Sequence, residues 1–186
     1  MATLKVICEN PANSCYNEKY KDELAIEAVV SYVLNPDKTQ GYIGGWGVSP
    51  TNAVREMELL QRLYHKDSGV RIRHWIIGFT PSEIERASSN VGGAMDQLLW
   101  TMGALLAEYY KGNYQVVWGV HLDKPREPHI HFAMSTVSLV NGKKYSGSKT
   151  DYSAYIAYAK SVLRYYGINL WPISDQAASK YVHTYK

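Results

Sequence analysis

YQVVWGVHLDKPREPHIHFAMSTVS, residues 114–138, sets two β-branched and aromatic runs around a short connection that contains two prolines. Such residues fit the pleated surface of a sheet, and a polar break between two such runs predicts an antiparallel hairpin. With the turn near Pro125, His121 lies opposite His129. Strand side chains alternate with period two, so His131 shares their face and three imidazoles converge. The same face carries Gln115, Val117 and Gly119 on one strand and Ala133 and Ser135 on the other. The opposite face reads Tyr114, Val116, Trp118, Val120, Ile130, Phe132 and Met134, which predicts core. The small residues beside the histidines leave room for an ion and a ligand.

An isolated histidine is most often a surface or satisfied core residue. Half of the chain's six histidines on one hairpin face reverses that expectation. Neutral imidazoles suit a divalent transition-type ion, and three protein ligands leave positions open for substrate oxygens. No carboxylate among the ligands cancels the metal's charge, which favours a phosphodiester and the charge that builds on its oxygens. The spacing alone also fits a cupin-like or other metallohydrolase site.

Outward from the hairpin, TLKVICE reads as a strand and DELAIEAVVSYVL as a helix stopped by Asn35-Pro36. GYIGGWGVSP, with four glycines, reads as a mobile loop, and TNAVREMELLQRLYHKDSG as a helix closing near Gly69. VRIRHWIIGF predicts a central strand, on which His74 is a strand residue with no site role. Thr80-Pro81-Ser82-Glu83 starts a long helix to about Tyr110 that Gly92-Gly93 bends or interrupts. Glu83 is explained there by the helix dipole. DYSAYIAYAKSVLRYYG is a last helix, and INLWPI adds a strand or packs outside. The expected class is α+β, an antiparallel sheet of about five strands flanked by helices.

At 186 residues and 46% hydrophobic, the composition predicts one domain, 1–186, with a full core. A net charge of +3 and a pI near 8.7 permit a polyanionic partner without requiring one. No apolar run approaches the ~18 residues that span a bilayer, and no secretory signal opens the chain, which places it in the cytoplasm with Cys8 and Cys15 as reduced thiols.

The hairpin residues resemble the third motif of HUH-superfamily relaxases, the MOBP-like relaxase/mobilisation nucleases. The matching positions are His121, Asp123 and His129-Ile130-His131. SYVLNPDKT, HWIIGFTPSE and GKKYSGSKTDY resemble family segments in the same order, over roughly residues 28 to 170. Gly78 departs from the serine common there. The resemblance implies an HUH-type sheet and a tyrosine DNA relaxase, a metal-dependent endonuclease specific for site and strand. Such a protein nicks single-stranded or hairpin origin-of-transfer DNA in plasmid or conjugative-element mobilisation. It implies His121, His129 and His131 as metal ligands, with Mg or Mn expected and Zn, Ni or Co as possible substitutes. It implies Tyr32 as the nucleophile that forms a 5′-phosphotyrosyl link, with Tyr16 and Tyr20 as rivals, and accessory relaxosome and coupling proteins as partners. A tyrosine hydroxyl, with an ordinary pKa of ~10, needs activation at neutral pH. Asp123 is a candidate to orient a ligand histidine or assist proton transfer, against a plain turn role.

Single strands are held by basic grooves with aromatic platforms. Lys38 and Arg126 lie beside the proposed chemistry, Lys143, Lys144 and Lys149 follow in a glycine-bearing loop, and Tyr145 is a candidate base platform. Tyr152, Tyr155, Tyr158, Tyr165 and Tyr166 recur at helical spacing and predict packing. The alternatives are a rolling-circle initiator or single-strand transposase of the same superfamily, and a DNA-binding module without turnover.

Overall fold

A computed structural model describes residues 1–7 and 23–173. Cys8, Cys15, Tyr16 and Tyr20 lie outside the described residues. The strands are β1 (Ala2–Ile7), β2 (Ile43–Trp46), β3 (Ile72–Gly78), β4 (Tyr114–His121), β5 (His129–Ser138) and β6 (Leu170–Pro172). The helices are α1 (Ala25–Val33), α2 (Pro36–Thr39), α3 (Ala53–Leu63), α4 (Pro81–Val91), α5 (Met95–Glu108) and α6 (Lys149–Tyr165). The sheet runs β2-β4-β5-β3-β1-β6. All neighbours are antiparallel except β1 and β6.

The α+β architecture is as expected, with six strands rather than about five. The difference includes the glycine segment expected to be a loop, in which Ile43–Trp46 forms an edge strand on β4. Glycines show no alternation, so period two was invisible there. A side chain at Gly44 would overlap the six-membered part of the Trp118 indole, and one at Gly103 of α5 would overlap its five-membered part. Trp46 and Trp100 complete the attachment by donating Nε1–H to the carbonyls of Ala104 and Ile43 at 3.0 and 2.7 Å.

The predicted bulky face is core. Val116, Trp118, Val120, Ile130, Phe132 and Met134 join buried residues of α4, α5 and α6, and Trp75 stacks on Phe132 at 5.1 Å. Tyr155 closes this layer by accepting from Trp75 Nε1 at 2.8 Å, whereas Tyr165 is exposed. The expected long helix breaks into α4 and α5 at Gly92, which takes a left-handed φ of 71°. Glu83 caps α4 by accepting from the Thr80 amide at 3.1 Å.

The histidine face is covered over only part of its length. Val29, Val30 and Val33 of α1 and Met57 of α3 pack on Ile72, Val117 and Ala133. The small residues of this face therefore admit a helix as well as leaving a pocket. Gly119 decides how close that helix comes, because a Cβ there would overlap the Val33 carbonyl oxygen. Asn35 then turns the chain, its side chain accepting from the Asp37 amide at 2.9 Å, and Lys38 O accepts from the Leu122 amide at 2.8 Å. The α1–α2 corner is thus tied to the end of β4 that carries His121.

Gly119→Ala should cost about 1–3 kcal/mol, the usual range for overpacking a closed contact. Urea unfolding measures it, and an unchanged midpoint would show that the contact is loose.

Candidate active site

His121 and His129 pair directly across the β4–β5 hairpin, as the spacing predicts, and His131 follows opposite Gly119. One ring nitrogen from each of the three histidines lies within 4.8 Å of the others. The remaining ring nitrogens are engaged. His121 Nε2–H donates to Val33 O at 3.1 Å, and His129 Nδ1–H donates to Glu127 O at 2.6 Å. A carbonyl only accepts, so these bonds settle both tautomers and leave His121 Nδ1 and His129 Nε2 as lone-pair donors. His131 Nδ1 lies 2.8 Å from His74 Nε2. With the proton on His131 Nδ1, its Nε2 completes the set.

His121 Nδ1 is buried and has no hydrogen-bond partner among the described residues. An orphaned buried acceptor beside two further imidazole nitrogens fits a divalent ion. The protonation states agree. Burial, with the charge of His129, lowers His121 to about 4. Burial and His121 lower His74 to about 3, and burial also lowers His129 and drives His131 well below its ordinary value. The rings are neutral at pH 7, the form that ligates metal.

Tyr32 stands at the mouth of this cluster. It is the next-to-last residue of α1, 42% exposed, with ring centroids 5.1 Å from His131 and 5.3 Å from His121. Lys38 Nζ lies 4.7 Å from the Tyr32 ring centroid and 3.4 Å from Asp123 Oδ2. Burial by itself would raise the Asp123 carboxyl, but Lys38 outweighs it with the neighbouring histidines and holds it below the usual carboxylate range. An open pocket of about 190 Å³ includes Tyr32, Lys38, Asp123, His129 and His131 in its walls.

The structure thus gathers Tyr32, Lys38, Asp123, His121, His129 and His131. Arg126 is exposed on the connection that joins His121 to His129. Lys143, Lys144 and Tyr145 are not brought in, and Lys149 is the first residue of α6. The Tyr145 amide bonds to Thr136 O, and Thr136 is seven residues along β5 from His129, roughly 23 Å at strand rise. Tyr145 packs against Tyr110 and Tyr114 at 6.0 and 5.6 Å instead of offering an open face. Lys144 donates to the carbonyls of Ser68 and Val70. The loop that follows β5 emerges at the opposite end of the hairpin from the histidines, which residue order alone conceals.

Sequence reasoning missed His74, and also Lys5 and Lys124, which line the same pocket. His74 pairs with Ala133 across β3–β5 and reaches His131 diagonally on the same face. That relation requires knowing that β3 neighbours β5. Asp123 faces Lys38, while the outer nitrogens of the three histidines are held by two carbonyls and His74.

Two outcomes follow from the cluster. His74→Ala should weaken Mn²⁺ binding about 10- to 100-fold by calorimetry, as loss of an outer partner does, and His74→Gln should recover part of it. Equal affinities in His74→Ala and wild type would remove His74 from the site. The metal-free protein should also lose stability as pH falls from 6.5 to about 4. Across that window the unfolded chain binds protons that the folded imidazoles refuse, so stability rises with pH by up to about 1.4 kcal/mol per unit for each ring. Flat stability from pH 6.5 to 5 in chelator would contradict this assignment.

Protein rlx of Staphylococcus aureus is 28% identical over 108 residues, which are 58% of this chain and 31% of that relative. The chain therefore spans about a third of the length of the curated relative it matches. A family model for the MobA/VirD2-like relaxase nuclease domain matches residues 32–168, from Tyr32 through the histidine hairpin to just beyond α6. With that match over most of its length and a mostly antiparallel sheet of HUH type beneath the histidines, the chain belongs to the relaxase family as a MobA/VirD2-like nuclease domain.

Proposed function

We propose that this chain nicks one strand of origin-of-transfer DNA by transesterification and stays joined to it through Tyr32. The observation that carries this reading is the placement of an accessible phenol directly against the three-histidine cluster. Attack by Tyr32 Oη forms a bond to phosphorus as the bond to the 3′-oxygen breaks, and the phenol gives up its proton while the leaving oxygen gains one. One phosphoester replaces another, so a returning 3′-hydroxyl reverses the step without ATP. A divalent ion held by His121, His129 and His131, with Mg or Mn the expected species, would supply positive charge for the phosphoryl oxygens.

The chain's own residues do the rest. The tether of α1 to Gly119 and His121 holds Tyr32 over the pocket, and Lys38 places a cation beside both its ring and the phosphate site. Asp123 we assign to holding Lys38 in that position, a narrower part than ligand orientation or proton transfer. Lys124 lines the same pocket, and Arg126 extends the basic rim onto the hairpin connection. Residues 1–186 act in this reading as one catalytic unit, in the cytoplasm, on single-stranded or hairpin DNA presented with accessory relaxosome and coupling proteins. No helix among the described residues is long and apolar enough to cross a membrane.

Labelled single-stranded origin DNA from the parent element should give a covalent adduct on denaturing gels with Mg²⁺ or Mn²⁺. Tyr32→Phe should abolish it, and His129→Ala should slow its formation on the order of 100-fold or more. An adduct that survives Tyr32→Phe would move the nucleophile elsewhere, and tight binding with no cleavage by the wild type would favour a module without turnover.

A further inference from the structure

The metal face of the sheet continues beyond the pocket. Cross-strand partners place Trp171, Thr3, Gly78, His129 and His121 in one row over β6, β1, β3, β5 and β4. Paired residues in a sheet point to the same side. Trp171 therefore shares the histidine face, while its neighbour Leu170 and Leu170's partner Ala2 are buried in the core on the other side. Independent support comes from the pocket, whose lining includes Thr3, Lys5 and, two residues beyond Trp171, Ile173. At ~4.8 Å per strand, Trp171 lies roughly 14 Å from His129, a span of a few nucleotides.

Trp171 differs from the chain's other tryptophans. Trp75 and Trp118 are buried, and Trp46 and Trp100 donate to backbone carbonyls, but Trp171 is 56% exposed on a sheet edge. An exposed indole in line with a basic pocket has the composition of a single-strand binding path, in which cations track the backbone and aromatic faces take the bases. Gly78, between Thr3 and His129, carries no side chain, so the floor of that path is open where a strand would cross it.

We propose that Trp171 is a stacking platform for a base of the DNA strand flanking the scissile phosphate, with Lys5 and the Thr3 hydroxyl holding the backbone between platform and pocket. This rests on the reading of the pocket as a DNA-nicking site and adds a base-binding position that the histidine hairpin does not contain. Stacking tolerates any base, so the platform contributes affinity and sets how the strand leaves the pocket, without reading sequence.

The test is anisotropy with a fluorescein-labelled oligothymidylate of about a dozen nucleotides, in chelator so that neither metal nor cleavage enters. An abasic oligonucleotide of the same length retains the charges and lacks the bases. Trp171→Ala should weaken oligothymidylate binding roughly 5- to 100-fold, Trp171→Phe should restore most of it, and all three proteins should bind the abasic strand alike. Equal oligothymidylate binding by Trp171→Ala and wild type would overturn the platform. So would an equal loss on the abasic strand, which would mark a structural or charge effect. Adduct formation with origin DNA is read separately: adducts without a Trp171 effect overturn the platform alone, and a base-dependent Trp171 effect without adducts supports the platform while the nicking reading fails.

Discussion

The contact between the last turn of α1 and β4 underlies the whole site. Val33 O lies where a side chain at residue 119 would be and accepts the His121 Nε2 proton at 3.1 Å. One carbonyl thereby fixes three things. It fixes the depth at which α1 sits on the sheet, the tautomer of one histidine of the cluster, and the position of Tyr32 one residue before it. A bulkier residue at 119 would push the helix outward and separate the phenol from the imidazoles.

Neutral histidines follow from the same closure. Burial disfavours imidazolium, and packing four rings together adds mutual repulsion between any that protonate. The cluster is therefore a poor cation by itself and a good set of lone-pair donors. Lys38 supplies fixed positive charge on the open side, where Asp123 holds it 3.4 Å away. Charge thus concentrates at the pocket mouth, where a phosphodiester would enter, and the buried rings remain available for a metal.

The hairpin could be read from sequence because its alternation survives in the side chains. His121 pairs with His129, and the bulky face is core. Tyr32 could be placed only by family resemblance, since no spacing rule connects the end of a helix to a hairpin some ninety residues later. The missing pieces have physical reasons. Strand β2 is hidden because Gly44 and Gly45 carry no alternation, and the role of His74 depends on strand order. Lys143, Lys144 and Tyr145 seemed near the site because they follow the hairpin in sequence, yet β5 carries the chain away from His129 before they occur. Lys5 and Trp171 belong to segments distant in sequence that only the parallel pairing of β1 with β6 unites on the site face.

In the proposed reaction the residue held against the histidine cluster is the one that takes the DNA. Trypsin separates the candidates cleanly, since residues 22–38 form one peptide whose sole tyrosine is Tyr32, while Tyr16 and Tyr20 fall in others. Mass spectrometry of the nuclease-trimmed, trypsin-digested adduct reads the attachment point directly. The expected result is a nucleotide phosphate on Tyr32 in the 22–38 peptide. A nucleotide on Tyr16 or Tyr20, with Tyr32 unmodified, would contradict it.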